Sequence, residues 1–231
     1  MEQAPCISRI ASLLAEPKRT AMLWALMDGS AKSSEELATL AGVSSTSANA
    51  HLARLAGSGL LRVEVRRGRR VFRVAAADVS LAIDALASTT IASAARCSPH
   101  VTPASLAAPA SLRHVRLCHG HLGGELAAQL YQRMMAAGWI ERCEQRVEVT
   151  PKGAQQLAGL GIFTQALAAP LVCDCFDWSQ QQPHLGGALA AGLLQLFLQS
   201  NWISTTHESR GLLVSPAGLL EIARLAEPAQ A

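Results

Sequence analysis

Residues 33–74 read SSEELATLAGVSSTSANAHLARLAGSGLLRVEVRRGRRVFRV, and this stretch decides the fold of the N-terminal part of the chain. Gly42 is placed to end a first short helix, and Ser44 precedes a second helix over residues 45–57. Two short helices joined by a glycine-containing turn are typical of a helix-turn-helix.

The helix over residues 45–57 has two contrasting faces. Ala48, Leu52 and Leu55 recur at helical spacing and form the expected buried stripe. The opposite face carries short side chains and neither Glu nor Lys, namely Thr46, Asn49, Ala50 and Ala53. A recognition helix that enters the major groove needs such a face, whereas a plain solvent-exposed helix usually carries Glu and Lys.

An arginine-rich β-hairpin is predicted directly after this helix. Residues 61–65 and 71–74 alternate between apolar and polar side chains around a turn over residues 66–70. Residues 62–73 hold six Arg against one Glu, and the excess positive charge of the chain lies entirely in residues 1–95. The hairpin therefore predicts a wing whose tip contacts the phosphate backbone.

Helices are also predicted on both sides of this stretch. Residues 7–14 form a short amphipathic helix, and Pro17 suits the first turn of the next one. A helix over residues 78–90 would bury one face, which carries Val79, Ile83 and Leu86.

Five short motifs together resemble the ArsR–SmtB regulators over roughly residues 6–95. They are Leu14-Ala15-Glu16-Pro17-Lys18-Arg19, Glu36-Leu37-Ala38, Gly42-Val43-Ser44, His51-Leu52-Ala53-Arg54-Leu55 and Gly59-Leu60-Leu61. The resemblance implies a homodimer that represses a promoter until an effector binds, with the first and last helices of the domain forming the dimer interface. It also implies that His51 helps to orient the recognition helix. On the helical wheel His51 flanks the buried stripe, which favours a packed or phosphate-contacting histidine over a metal ligand. The predicted residues that contact double-stranded promoter DNA are Ser44, Ser45, Thr46, Ser47, Asn49, His51, Arg54, Arg66, Arg67, Arg69 and Arg70.

The metal sites familiar in this family are missing from the sequence. Residues 37–41, before the turn, contain no Cys, and Asp78 and Asp84 have no accompanying His before His100. Any site that senses an effector is therefore expected elsewhere in the chain.

A second domain is predicted beyond a proline-rich linker. Pro99, Pro103 and Pro109 interrupt residues 97–111, which favours a division into domains over residues 1–95 and 112–231, with a linker over residues 96–111.

The second domain contains an internal repeat. Residues 121–130 match residues 184–193 at eight of ten positions, and Trp139-Ile140 matches Trp202-Ile203 in the same register. Each half reads as a helix, a hairpin and a helix that begins with Pro, which resembles a reduced winged helix. Neither half carries a basic wing, so we expect effector sensing or additional dimer contacts rather than direct DNA binding.

Cysteine and histidine precede the first helix of each half. Cys118 and His121 are three residues apart and could chelate from one helical turn, while Cys175 and His184 come before the second copy. If the halves pack about a pseudo-twofold axis, these four side chains could form one site for Zn or another thiophilic metal ion. Alternatively, the histidines pack at helix starts and the cysteines are small buried hydrophobic residues.

The sequence thus predicts a mainly α protein with small β-hairpins (α+β), a winged helix-turn-helix and two degenerate winged-helix-like repeats. It lacks the common catalytic motifs, so no enzyme is expected. We expect a cytoplasmic regulator without a membrane segment, in which the six Cys are thiols. A thiol redox sensor that uses Cys118, Cys173 or Cys175, and an architectural DNA-binding protein without an effector, remain alternatives.

Overall fold

The computed structural model describes residues 7–97, 109–144, 146–206 and 209–227. The chain divides into two compact units, Met1–Ile83 and Asp84–Ala231. This division falls inside a helix, twelve residues before the domain boundary expected at residue 95. Most of the expected proline-rich linker lies outside the described residues.

The first unit contains the predicted winged helix-turn-helix. A three-stranded antiparallel sheet in the order β1-β3-β2 packs with the helices. Its elements, together with the long helix that continues into the second unit, are α1 Ile7–Leu14, α2 Pro17–Ala25, β1 Lys32–Ser33, α3 Ser34–Ala41, α4 Ser45–Gly57, β2 Leu61–Arg66, β3 Arg69–Val74 and α5 Ala77–Cys97.

Local side-chain chemistry fixes the ends of the two helices in the helix-turn-helix. Ser33 accepts a hydrogen bond from the Glu36 N–H while the Glu36 carboxylate accepts one from the Ser33 N–H, which forms a capping box at α3. Gly42 ends α3 in the left-handed region at φ 62°, and the Ser44 hydroxyl caps α4. These bonds set the short turn that the sequence predicts.

The motif that begins at Glu16 ties three helices together. The Glu16 side chain caps α2, and Pro17 occupies its first turn. Lys18 donates from Nζ to the Ala41 carbonyl at the end of α3. Arg19, which is buried, donates to carbonyls at the end of α1. The motif is therefore a structural clamp in this chain.

Three details of the first part of the chain differ from expectation. Leu86 is 51% exposed, although the periodicity placed it on a buried face with Ile83, which is 7% exposed. Arg73 is buried with its guanidinium bonded to the Gly29 carbonyl, so it does not belong to the exposed basic surface. A short strand, β1, also pairs with β3 and was not predicted.

The second unit consists of two repeats with the same element order: hairpin, helix, hairpin and helix. A short helix, α6 Ala110–Arg113, precedes them. The first repeat comprises β4 Arg116–Cys118, β5 His121–Gly123, α7 Glu125–Ala136, β6 Ile140–Cys143, β7 Arg146–Val149 and α8 Pro151–Gly159. The second comprises β8 Cys173–Asp177, β9 Gln182–Gly186, α9 Ala188–Gln199, β10 Ile203–Thr206, β11 Ser209–Val214 and α10 Pro216–Arg224, after a 3-10 turn at Thr164–Ala166.

The repeats exchange contacts across a shared hydrophobic core. Helix α7 packs on β9 of the second repeat, and α9 packs on β5 of the first. Leu126, Leu130, Leu189 and Phe197 are among the buried residues of this core. Each first helix therefore covers the hairpin of the other repeat, which brings β4–β5 and β8–β9 close together.

The sequence missed the hairpin that opens each repeat. His121 and His184 lie in strands before the helices, rather than at helix starts. The three-residue strands β4 and β5 are too short for an alternating pattern to stand out. In the described residues, no helix is long and apolar enough to cross a membrane.

Candidate DNA-binding face and metal centre

The outer face of α4 is open for contact, as a recognition helix requires. Ala48, Leu52 and Leu55 are fully buried, and Ser47 and His51 are half-buried. The exposed residues of the predicted contact set on this helix and its cap are Ser44, Ser45, Thr46, Asn49 and Arg54. The predicted contact residues therefore lie outside the stripe that holds α4 to its own unit.

The wing is a two-residue hairpin turn with cationic side chains on both strands. Arg67 and Gly68 have φ values of 49° and 75°, the positive values that a tight hairpin turn needs. Glu64 pairs with Arg62 at 3.0 Å and with Arg66 at 3.1 Å. Arg67, Arg69 and Arg70 are exposed and form no ion pair with any described residue, although the charge of Arg69 helps to lower the pKa of Glu35.

The second unit brings the four predicted metal-ligating side chains together. One ligand atom from each lies within 4.8 Å of the other three, for Cys118, His121, Cys175 and His184. Cys118 and His184 are fully buried, and His121 is 7% exposed. The interpretation of Cys118 and His121 as a pair on one helical turn was wrong. They are directly paired across β4–β5, as Cys175 and His184 are across β8–β9.

Two distances within this cluster are close to those between the ligands of a tetrahedral zinc ion. The two Sγ atoms are 3.8 Å apart, and the two Nε2 atoms are 3.2 Å apart. Ideal tetrahedral zinc geometry requires about 3.8 Å between sulfurs and about 3.3 Å between nitrogens, given bonds of about 2.3 Å and about 2.0–2.1 Å. Each repeat contributes one sulfur and one nitrogen, so four atoms of the kinds that bind tetrahedral zinc converge here.

The two thiols differ in proton affinity. The hydrogen bond with Cys175, followed by burial, raises the pKa of Cys118 to about 12. The same hydrogen bond lowers the pKa of Cys175, against the opposing effect of burial. A metal ion that enters this site must therefore displace a proton from Cys118.

Glycines close to Cys118 and Cys173 allow the hairpins to close. A Cβ on Gly123 would lie 2.9 Å from the Cβ of Cys118, and one on Gly186 would lie 3.0 Å from the Cys173 sulfur. The following glycines, Gly124 and Gly187, have φ values of 96° and 86°. The repeated Gly-Gly pairs therefore fit a close approach and a sharp turn into each helix.

A polar network holds strand β8 in place. Tyr131 donates to Asp174 at 2.7 Å, and Arg142 donates to the same carboxylate at 2.8 Å. Asp174 lies between Cys173 and Cys175, so this network positions the strand that carries a ligand. Burial, together with the hydrogen bond to Asp174, raises the pKa of Tyr131 to about 12 and keeps it a donor.

A buried charge cluster beside the site was not predicted from the sequence. Arg116 is fully buried between Asp84 and Asp177, at 3.7 Å and 3.0 Å, and its guanidinium lies over the Trp178 ring. Burial opposes ionisation of Asp177, but Arg116 and three further hydrogen-bond donors keep its pKa below the ordinary value. Strand β4 is too short for an alternation of polar and apolar residues to predict that Arg116 is buried.

The remaining described cysteines are separate from this cluster. Cys143 and Cys173 are exposed, and neither belongs to a described group with metal-binding geometry. His119 was not predicted as a contact of the site, yet its Nδ1 lies 3.5 Å from the Cys118 sulfur.

The comparisons with known proteins agree with the helix-turn-helix. A family model described as a helix-turn-helix domain matches residues 14–64. The uncharacterized HTH-type transcriptional regulator YdfF of Bacillus subtilis (strain 168) is 31% identical over 220 residues, which cover 93% of this chain and 94% of that protein. The chain belongs to the helix-turn-helix transcriptional regulators. This regulator is therefore a DNA-binding protein, and its family is not one of enzymes.

Solved structures of other regulators also show similarity to part of this regulator. The DNA-binding domain of Mb0332 from Mycobacterium bovis, a possible ArsR-family regulator, is 26% identical, with a TM-score of 0.35, over 42% of this chain and 86% of that one. The cadmium sensor CMTR from Mycobacterium tuberculosis is 25% identical, with a TM-score of 0.31, over 34% of this chain and 81% of that one.

Proposed function

We propose that this regulator is a homodimeric repressor of the ArsR–SmtB type that leaves its promoter when a thiophilic metal ion binds the second unit. The observation that carries the proposal is the convergence of Cys118, His121, Cys175 and His184 with tetrahedral spacing.

The DNA-binding surface would combine base and phosphate contacts. The exposed Asn49 on α4 suits hydrogen bonds to base edges in the major groove. Arg67, Arg69 and Arg70 at the wing suit contacts with phosphates, which are independent of sequence.

Exposed apolar residues support the homodimer. Helix α1 buries none of its described residues within the chain, and Ile7 on it is 85% exposed. Leu86 on α5 is 51% exposed. These are the two helices that the family resemblance assigns to the dimer interface, and a second copy would cover such side chains.

The ligand chemistry favours a tetrahedral divalent ion such as Zn(II). Two thiolates balance the charge of a divalent ion, and imidazole and thiolate together suit zinc and similar thiophilic ions. The four protein ligands would leave no open position for a substrate, which suits a sensing site better than a catalytic one.

Metal binding by purified full-length protein tests this proposal. We expect one Zn(II) per chain, and Co(II) in its place should give the visible absorption of a tetrahedral S₂N₂ site. Cys118→Ser, Cys175→Ser and His184→Ala should each weaken binding strongly, whereas Cys143→Ser and Cys173→Ser should bind as the unmodified protein does. Absence of stoichiometric binding, or equal loss in the Cys143 control, would contradict the proposal.

Thiol redox sensing is a second candidate, favoured by the 3.8 Å separation of the Cys118 and Cys175 sulfurs. Peroxide would oxidise the two thiols to a disulfide and would itself be reduced to water. Under this alternative, peroxide releases DNA from metal-free protein, and Zn(II) has no effect on DNA binding.

A further inference from the structure

Helix α5 places a buried carboxylate against one of the four proposed ligands. Asp84 has no exposed surface, and its Oδ2 lies 3.5 Å from the Cys118 sulfur. The helix is continuous from Ala77 to Cys97, so it contains the last residues of the DNA-binding unit and the first residues of the second unit. Any displacement of Asp84 therefore displaces the helix that contains residues of both units.

Both oxygens of the Asp84 carboxylate are fixed by contacts with neighbouring side chains. Its Oδ1 accepts a hydrogen bond from the Trp178 indole N–H and lies 3.7 Å from Arg116. Its Oδ2 lies 3.3 Å from Arg210 and 3.9 Å from His119. Two arginines and two aspartates, counting Asp177, balance one another in this cluster. The group of Asp84, Cys118 and His119 therefore has no uncompensated charge that calls for a second metal ion.

Metal coordination removes the donor from the contact between Asp84 and Cys118. In the metal-free protein the Cys118 thiol can donate its proton to the carboxylate, which is an attractive contact. A sulfur bound to a metal has no proton to donate. Coordination therefore abolishes this hydrogen bond and leaves the carboxylate facing a sulfur that can only accept.

We propose that Asp84 is the positioning residue through which α5 responds to metal in the site formed by Cys118, His121, Cys175 and His184. This inference rests on the metal site proposed above. Because Trp178 and the arginines hold the carboxylate, the loss of this hydrogen bond is accommodated by displacement of α5 rather than by rotation of the Asp84 side chain alone. Linkage requires the reverse effect as well, so bound DNA weakens metal binding by the same factor.

Asp84→Asn in the full-length protein separates this role from a merely structural one. Asparagine has nearly the same shape, and its amide N–H can donate to a metal-bound sulfur, so the contact stays favourable when the metal binds. We expect Zn(II) to bind several-fold more tightly to this variant. In the unmodified protein, Zn(II) should weaken binding to a labelled duplex from upstream of its own gene by about fivefold or more. In Asp84→Asn that change should fall below about twofold. A variant that merely disturbs the fold would bind Zn(II) less tightly.

Two further variants serve as a control and as a substitute for Asp84→Asn. Asp78→Asn, an exposed change on the same helix, should behave as the unmodified protein does. If Asp84→Asn does not fold, Trp178→Phe removes one of the groups that hold the carboxylate, and Zn(II) should then change DNA affinity less than in the unmodified protein. Equal Zn(II) affinity and an equal DNA response in the variant would overturn the role of Asp84 and leave the metal site standing. Failure of the unmodified protein to bind Zn(II) would overturn the proposed function instead.

Discussion

At the scale of single residues, charge pairing divides the wing arginines into two groups. Arg62 is paired with Glu64 at 3.0 Å, whereas Arg67 and Arg69 have no ion pair among the described residues. Free guanidinium groups displace counterions from DNA when they bind phosphates, and paired groups must first break an existing contact. The wing should therefore act through its tip.

Substitutions at the wing test this division. Arg67→Ala and Arg69→Ala should weaken binding to all duplexes alike, and each should reduce the salt dependence, d log K/d log[salt], by about 1. Arg62→Ala is the matched control and should have a smaller effect on both quantities. Asn49→Ala should instead relax the preference at particular bases by about 1–3 kcal/mol. Fluorescence anisotropy over a salt series measures these effects, and a wing variant with altered base preference would contradict the docking orientation.

The protonation of Cys118 gives metal binding a defined pH dependence. Its pKa, raised to about 12 by Cys175 and burial, keeps it protonated at neutral pH in the metal-free protein. Zn(II) competes with this proton, so affinity should rise with pH by about tenfold per unit for each proton displaced. Competition with a chromophoric chelator between pH 6 and pH 8 measures the slope. An affinity that is flat, or that falls with rising pH over this range, would contradict binding through Cys118.

At the scale of elements, the last helix of each repeat approaches the carbonyl of a tryptophan closely. A Cβ on Gly153 in α8 would lie 1.9 Å from the Trp139 oxygen, and one on Gly218 in α10 would lie 2.2 Å from the Trp202 oxygen. The Val-Thr-Pro-Lys-Gly and Val-Ser-Pro-Ala-Gly segments thus end in glycine for a steric reason.

Two glycines of the same helix provide a matched test of that contact. Gly153→Ala should destabilise the protein by about 1–3 kcal/mol, because the backbone must move to admit the methyl group. Gly159→Ala has open space around its Cβ and should be neutral or stabilising by up to about 1 kcal/mol. Chemical denaturation measures both, and equal effects of the two substitutions would refute the steric explanation.

The helices and the wing of the first unit were predictable because their signals are local. The serine cap at Ser44, the stop at Gly42 and the stripe that ends at Leu55 act within a few residues. The hairpin β4–β5 was not predictable, because its strands are three residues long and depend on the other repeat for burial. The four ligands were identifiable from the repeat, but their cross-strand pairing was not.

At the scale of the whole molecule, the repeat explains how one buried site can draw equally on two distant segments. Cys118 and His121 come from one copy, and Cys175 and His184 come from the other. A metal ion would join two halves that already share the pairing of β4 with β11 and the Arg116–Asp177 ion pair, and Asp84 on α5 contacts the Cys118 ligand. Arg116 and Asp84 could not be anticipated, since their burial arises only when the copies pack.

Release of DNA by metal is the most direct test of the central claim. Anisotropy of a labelled duplex from upstream of the gene would be followed during Zn(II) titration for the unmodified protein, Cys175→Ser and Cys143→Ser. We predict equal DNA affinity for all three without metal, release by Zn(II) from the unmodified protein and Cys143→Ser, and no release from Cys175→Ser. DNA binding by the unmodified protein that Zn(II) leaves unchanged, or equal release from Cys175→Ser, would contradict the account.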